Sequence, residues 1–185
     1  DQPAPRDPRQ LELIDGSLST TGMEDQRSAG IAEALRERDY ERAETLLLEA
    51  AEAQPRSAEI LRLLGGVFFV EGRPLNAAIA LKKAEALAPL DERSRFTLVM
   101  SYVALGRRGW ARPELARLVE AAPANPLYPY SVGRLDYDDG QYATAVESFD
   151  VGLALRRAHL QHLSDALLLG DERLDRPGAQ CVAGV

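Results

Sequence analysis

At 185 residues, with 45% hydrophobic and 28% charged side chains, the chain has the length for one domain or one array of small units around a buried core. A net charge of −7 argues against a general nucleic-acid binder, which needs a basic patch or stripe for phosphate. The longest uncharged apolar run, Leu63 to Val70, is eight residues and far too short for a bilayer span.

Residues 1–23 are expected to form a flexible leader. Pro3, Pro5 and Pro8 resist helix, and the Gly/Ser/Thr cluster from Gly16 to Gly22 adds little apolar surface. Docking of the patch Leu11, Leu13 and Ile14 on the first helices is the alternative. The opening DQPAPRDP fits an exported (periplasmic) protein after signal removal and a trimmed cytoplasmic chain equally, so no localisation is chosen. The single cysteine, Cys181, makes no internal disulfide and does not choose a compartment either.

From Glu24 onward a period of 34 residues organises the chain. Ala43, Ala77, Ala111 and Ala145 recur at that spacing, as do Leu47, Leu81, Leu115 and Phe149, then Pro55, Pro89 and Pro123, and Gly72, Gly106 and Gly140. The stretch Ala58 to Pro89 is the clearest copy. Leu61, Leu64, Gly65 and Phe68 form one helical face, Gly72-Arg73-Pro74 breaks it, and Ala77, Leu81, Ala84 and Leu87 form a second. The alanines are small where two helix axes approach, so Ala77→Leu is expected to cost about 1–3 kcal/mol. Gly65 and Gly66 are expected to permit close packing.

The period divides the chain into units 24–57, 58–91, 92–125 and 126–157, with a capping helix at 158–170 and a flexible tail at 171–185. The first unit has a depleted first helix, with Gly30 and Ala34 where later copies carry larger residues, as a terminal unit packed on one side would. In the third unit Pro113 falls near the start of the second helix, where a missing N–H costs little. The fourth departs from the pattern at Asp136, Gly152 and Arg157, the last standing in place of the closing proline. Ser57, Asp91 and Asn125, again 34 apart, are good N-caps.

This unit resembles the tetratricopeptide repeat, the 34-residue helix–turn–helix family, over 134 residues from Glu24 to Arg157. The second unit supplies that pattern as Leu61, Leu64-Gly65, Phe68, Gly72, Ala77, Leu81, Ala84 and Pro89. The resemblance implies an all-α fold: a right-handed α-solenoid of four helix–turn–helix units whose first helices line a concave groove. It also implies a non-enzymatic scaffold that binds an extended peptide or a partner helix. Some family members hold a C-terminal carboxylate with basic residues along three repeats. Matching positions here are Ser28, Ala32, Leu63, Arg93 and Thr97, or Arg62, Gly66, Thr97, Leu127 and Ser131, and one basic residue in each register does not make that clamp.

The exposed stripe on the first helices would contain Arg62, Gly66 and Phe69, then Arg93, Phe96, Met100 and Val103, then Tyr130, Arg134 and Tyr137. Of these, Arg62, Phe69, Arg93, Phe96, Met100, Tyr130, Arg134 and Tyr137 are the candidate partner-binding residues. Aromatics and arginine are enriched at binding hot spots, and a guanidinium can fork onto a carboxylate. The expected partner is a protein or peptide, apolar with an acidic group. The competing assignment packs Phe69, Phe96 and Met100 between adjacent units.

A second function class is self-association through Leu160, Leu163 and Leu167 of the C-terminal helix, giving a homodimer. A distant third is metal binding by His159 and His162, spaced i, i+3 near Asp165, but no second ligand motif accompanies them. No phosphate-binding glycine loop and no nucleophile–histidine arrangement is present, so no cofactor, metal or catalysis is expected. The acidic group Asp136, Asp138 and Asp139 reads as a solvated turn before Gly140.

Overall fold

The computed structural model describes the backbone of residues 27–174 and the side chains of residues 27–162. The leader, Cys181 and the end of the tail lie outside these limits, as do the side chains of Leu163, Asp165 and Leu167. Every regular element among the described residues is a helix. α1 covers 27–37, and α2 (Tyr40–Ala53), α3 (Ala58–Val70), α4 (Pro74–Leu87), α5 (Glu92–Ala104), α6 (Arg108–Ala121), α7 (Leu127–Asp138) and α8 (Tyr142–Leu174) follow. The chain divides into two compact units after Glu114, inside α6.

Turn chemistry sets the helix lengths in both units. Gly72, Gly106 and Gly140 take φ of +73°, +69° and +77°, the left-handed conformation that closes a helix without a Cβ penalty. Each turn is locked by an amide donating across it: Arg73 N to Phe68 O, Arg107 N to Tyr102 O and Gln141 N to Asp136 O, all 2.8 Å. One period earlier Arg38 occupies the same conformation at φ +60°, and Asp39 N donates to Ala34 O at 2.9 Å. An arginine therefore holds a turn that glycine holds elsewhere.

Ser57 and Asp91 cap α3 and α5 as expected, whereas Pro126 rather than Asn125 is the N-cap of α7. Ser57 Oγ accepts from Ile60 N at 3.4 Å, and Asp91 Oδ1 accepts from Ser94 N at 2.8 Å. Asn125 Oδ1 accepts from Leu127 N at 3.1 Å, one residue outside α7. Asp39 supplies a further cap to α2 through Arg42 N. Pro74 opens α4 at a position where a missing N–H is harmless.

In the first unit the core is built by Ala34, Ala43, Leu47, Leu64, Phe68, Ala77 and Ala80, with Ala43, Leu47 and Ala77 fully buried. Leu81 is also fully buried. A Cβ added at Gly65 would lie 2.5 Å from Leu81 Cγ, so this glycine lets α3 and α4 approach. Charge joins the elements beside that core. Arg95 of α5 bonds Glu85 of α4 at 3.2 Å and also Glu114 in the middle of α6, and Lys82 bonds Glu85. The Lys82 ammonium and Arg95 hold the Glu85 carboxyl below the usual range, against the opposing effect of burial. Arg73 lies 4.5 Å from the centre of the Phe68 ring and bonds Glu44 at 2.7 Å, tying the α3–α4 turn to α2.

In the second unit Gly133 repeats the role of Gly65. A Cβ there would sit 2.8 Å from Phe149 and 2.9 Å from the Ala145 carbonyl oxygen. Gly152 gives α8 a similar approach, 3.2 Å from the Pro126 carbonyl oxygen to its would-be Cβ.

Several expectations need correction. Gly66 does not permit close packing, because a Cβ there meets nothing within 4 Å. Leu87 is exposed rather than part of the core stripe. Pro113 is the sixth residue of α6, beyond the helix's unpaired first amides, so it removes one internal hydrogen bond. Asp136 is buried, whereas Asp138 and Asp139 are exposed as a solvated turn requires. The boundary between unit four and a capping helix is absent: residues 142–174 form one helix through Arg157, Ala158 and Gly170. The reason is local. Without a proline at 157, no amide is missing and no ring clashes with the preceding turn, and a single glycine costs a helix only about 1 kcal/mol.

Candidate functional site

The first unit carries a groove of about 820 Å³. Leu35 and Arg36 reach it from α1, Tyr40 from α2, and Arg93, Ser94 and Thr97 from α5. The α3 face between them presents Arg62, Leu63, Gly66, Val67, Phe69 and Val70, residues one helical turn or less apart. Gly66 leaves the middle of that face without a side chain, and open space stands above it.

Its electrostatics are mixed, with a basic excess. Arg62 pairs with Asp91 at 3.6 Å, and Asp91 also accepts from the Ser94 hydroxyl at 3.0 Å. Burial raises the Asp91 carboxyl, but the Ser94 bonds and the Arg62 charge outweigh it and hold the group below its ordinary value. Glu59 is the second acid in the lining, and Arg36 and Arg93 carry two further positive charges. Neither of these two makes an ion pair with a described residue. A second hollow of about 380 Å³ adjoins the first, sharing Leu35, Glu59 and Leu63, with Ile31, Leu47 and Ile60 making it more apolar.

Three candidate residues, Arg62, Phe69 and Arg93, thus line one groove. Phe69 is half-buried and also packs on the core. Phe96 and Met100 lie on α5, half-buried, outside that lining. Tyr130, Arg134 and Tyr137 lie on α7 in the second unit, exposed, and each meets a neighbour there. Tyr130 packs on Phe149 with ring centres 5.4 Å apart, Tyr137 meets Tyr142 edge-on at 5.4 Å, and Arg134 pairs with Asp138 at 3.4 Å. Sequence reasoning passed over Leu35, Arg36 and Tyr40 because the first helix looked depleted. The period held the signal: Leu35 stands 34 residues before Phe69.

His159 and His162 are exposed on α8, and no group of three or more potential metal ligands occurs among the described residues. No described helix is long and apolar enough to cross a membrane.

With this geometry, residues 32–92 match the tetratricopeptide repeat family. No curated protein matches the chain. Solved structures of MamA share its fold. One, residues 41 to the end from Desulfovibrio magneticus RS-1, has a TM-score of 0.67 at 22% identity, over 80% of this chain and 85% of that one. A second gives 0.66 at 18% identity, over 83% and 94%. MamA of AMB-1 gives 0.62 at 27% identity, over 71% of each chain. The fold is all-α and of the kind that serves as a protein-interaction scaffold. By its matched segment, residues 32–92, and by its fold, this chain resembles the tetratricopeptide-repeat proteins.

Proposed function

We propose that the chain is a non-enzymatic scaffold that holds an extended apolar peptide or partner helix, bearing an acidic group, in the groove between α1, α3 and α5. One observation carries this reading: an apolar floor left open at Gly66, flanked by Arg36 and Arg93. Leu35, Leu63 and Phe69 would take apolar side chains, and Arg93 would fork onto the carboxylate. Arg62 is committed to Asp91 and would hold the rim of the groove. Tyr130, Arg134 and Tyr137 lie in the second unit and would form a contact patch of their own.

The test is a displayed library of random peptides selected on the whole chain, with affinities of the winners read by fluorescence anisotropy. Apolar sequences with an acidic residue or free C-terminus are expected. Gly66→Leu fills the groove without disturbing the fold and should weaken binding by about tenfold or more. Arg93→Ala should weaken carboxylate peptides and leave their amidated forms unchanged. Equal binding to wild type and Gly66→Leu would sink the reading.

A further inference from the structure

The α8 helix is much longer than its partner in the hairpin. At 1.5 Å per residue its 33 residues extend about 50 Å, whereas the 12 residues of α7 reach about 18 Å. The face it turns towards α7 is recognisable by its small buried residues, Ala145 and Gly152. Beside that face runs a second, uncovered line: Val146, Leu153 and Leu160 are 58%, 50% and 55% exposed. They stand seven residues apart, the spacing at which side chains stay on one seam of a helix pair.

Charge along this seam is self-complementary. Asp150 and Arg157 lie four residues after Val146 and Leu153, on the same flank, and both are exposed. When two copies of such a helix run antiparallel about a two-fold axis close to Leu153, Val146 lies opposite Leu160 of the second copy and Leu153 opposite its own copy. Asp150 then meets Arg157 of the second copy, and symmetry makes that pair twice. A parallel pair would instead set these charges against the opposite flank, where Ala145 and Gly152 are neutral and already buried.

From this we infer that α8 is a homodimer surface, closed by antiparallel pairing of its Val146–Leu153–Leu160 seam with that of a second copy. The seam shares no residue with the groove lining.

Sedimentation equilibrium of the full chain over a range of concentrations tests this, with circular dichroism confirming that each surface variant stays folded. The wild type should dimerise with a Kd below about 1 mM. Leu153→Glu should abolish the dimer. Asp150→Arg sets like charges together twice and should weaken it about tenfold. The swap Asp150→Arg with Arg157→Asp restores opposite charges and should return to within about threefold of wild type. Three results would each overturn the proposal: a wild-type monomer at about 1 mM, a dimer indifferent to Leu153→Glu, or a swap as weak as the single reversal.

Discussion

The hairpins α3–α4 and α7–α8 use the same parts and end differently. Each has a glycine where the helices touch (Gly65, Gly133), a large side chain that meets it (Leu81, Phe149) and a left-handed glycine at the turn (Gly72, Gly140). Yet α4 stops at Leu87, two residues before Pro89, while α8 passes position 157 and runs to Leu174. The buried faces differ too. Helix α4 packs on both α3 and α5 and buries Ala77, Ala78, Ala80, Leu81 and Ala84, whereas α8 buries Ala145 and Gly152. The comparison shows that one local code gives a close-packed hairpin wherever it occurs. A single closing residue then decides how far the second helix continues.

The sharpest way to break the contrast is Arg157→Pro. It should remove one helical hydrogen bond and clash with the Leu153 carbonyl, costing the end of α8 about 3 kcal/mol or more. Helical signal should fall, and amides beyond residue 157 should exchange faster, with the α7–α8 contact around Gly133 still protected. Unchanged exchange there would mean that something other than the missing proline sets the helix length.

Next come the two contact glycines. Gly133→Ala drives a Cβ against the Ala145 carbonyl and should cost about 3 kcal/mol. Gly65→Ala meets only the Leu81 side chain, which can change rotamer, and should cost about 1 kcal/mol after the gain in helix propensity. Denaturant unfolding of the two variants checks the order, and the reverse order would refute this account of the contacts.

The turns offer a smaller effect of opposite sign. Arg38→Gly relieves a left-handed arginine and should stabilise the first hairpin by about 1 kcal/mol, while Gly72→Ala should lose about that much. Thermal unfolding of the pair would show whether the first turn is strained.

The smallest difference is in acid. The same position of the 34-residue period holds Asp91, the N-cap of α5, and Asn125, one residue before the N-cap of α7. Because the folded carboxyl of Asp91 is lowered, its stabilisation is complete above the unfolded value near 3.8 and is lost as pH falls through the folded value. Acid should therefore loosen the start of α5 but not that of α7, by less than the ~1 kcal/mol of a whole N-cap. Amide exchange at the two helix starts near neutrality and below about pH 3 measures it, and Asp91→Asn should erase the difference.

Much of the fold was legible because its code is local. Caps, left-handed glycines and opening prolines act within a few residues, so Ser57, Asp91, Gly72 and Pro74 marked helix ends directly. The groove was only half legible: Arg62, Phe69 and Arg93 share a predicted face with Phe96 and Met100, but which of them line one hollow depends on three helices packing together. Leu35 and Tyr40 were passed over because a depleted first helix carries a weak hydrophobic pattern even when its few large residues face the groove.

What the amino-acid order determined by itself is the 34-residue hairpin, since backbone hydrogen bonds and steric limits on φ act inside each repeat. Tertiary packing alone decided three further things. It separated Gly65 from Gly66, two adjacent glycines of which one meets Leu81 and the other open space. It buried Asp136 while leaving Asp138 in solvent. And it left the seam of α8 uncovered, because Val146 and Leu153 turn away from the face that packs on α7 and Leu160 lies further along the helix. Each depends on what stands opposite a side chain, and that is set by neighbouring helices rather than by neighbours in sequence.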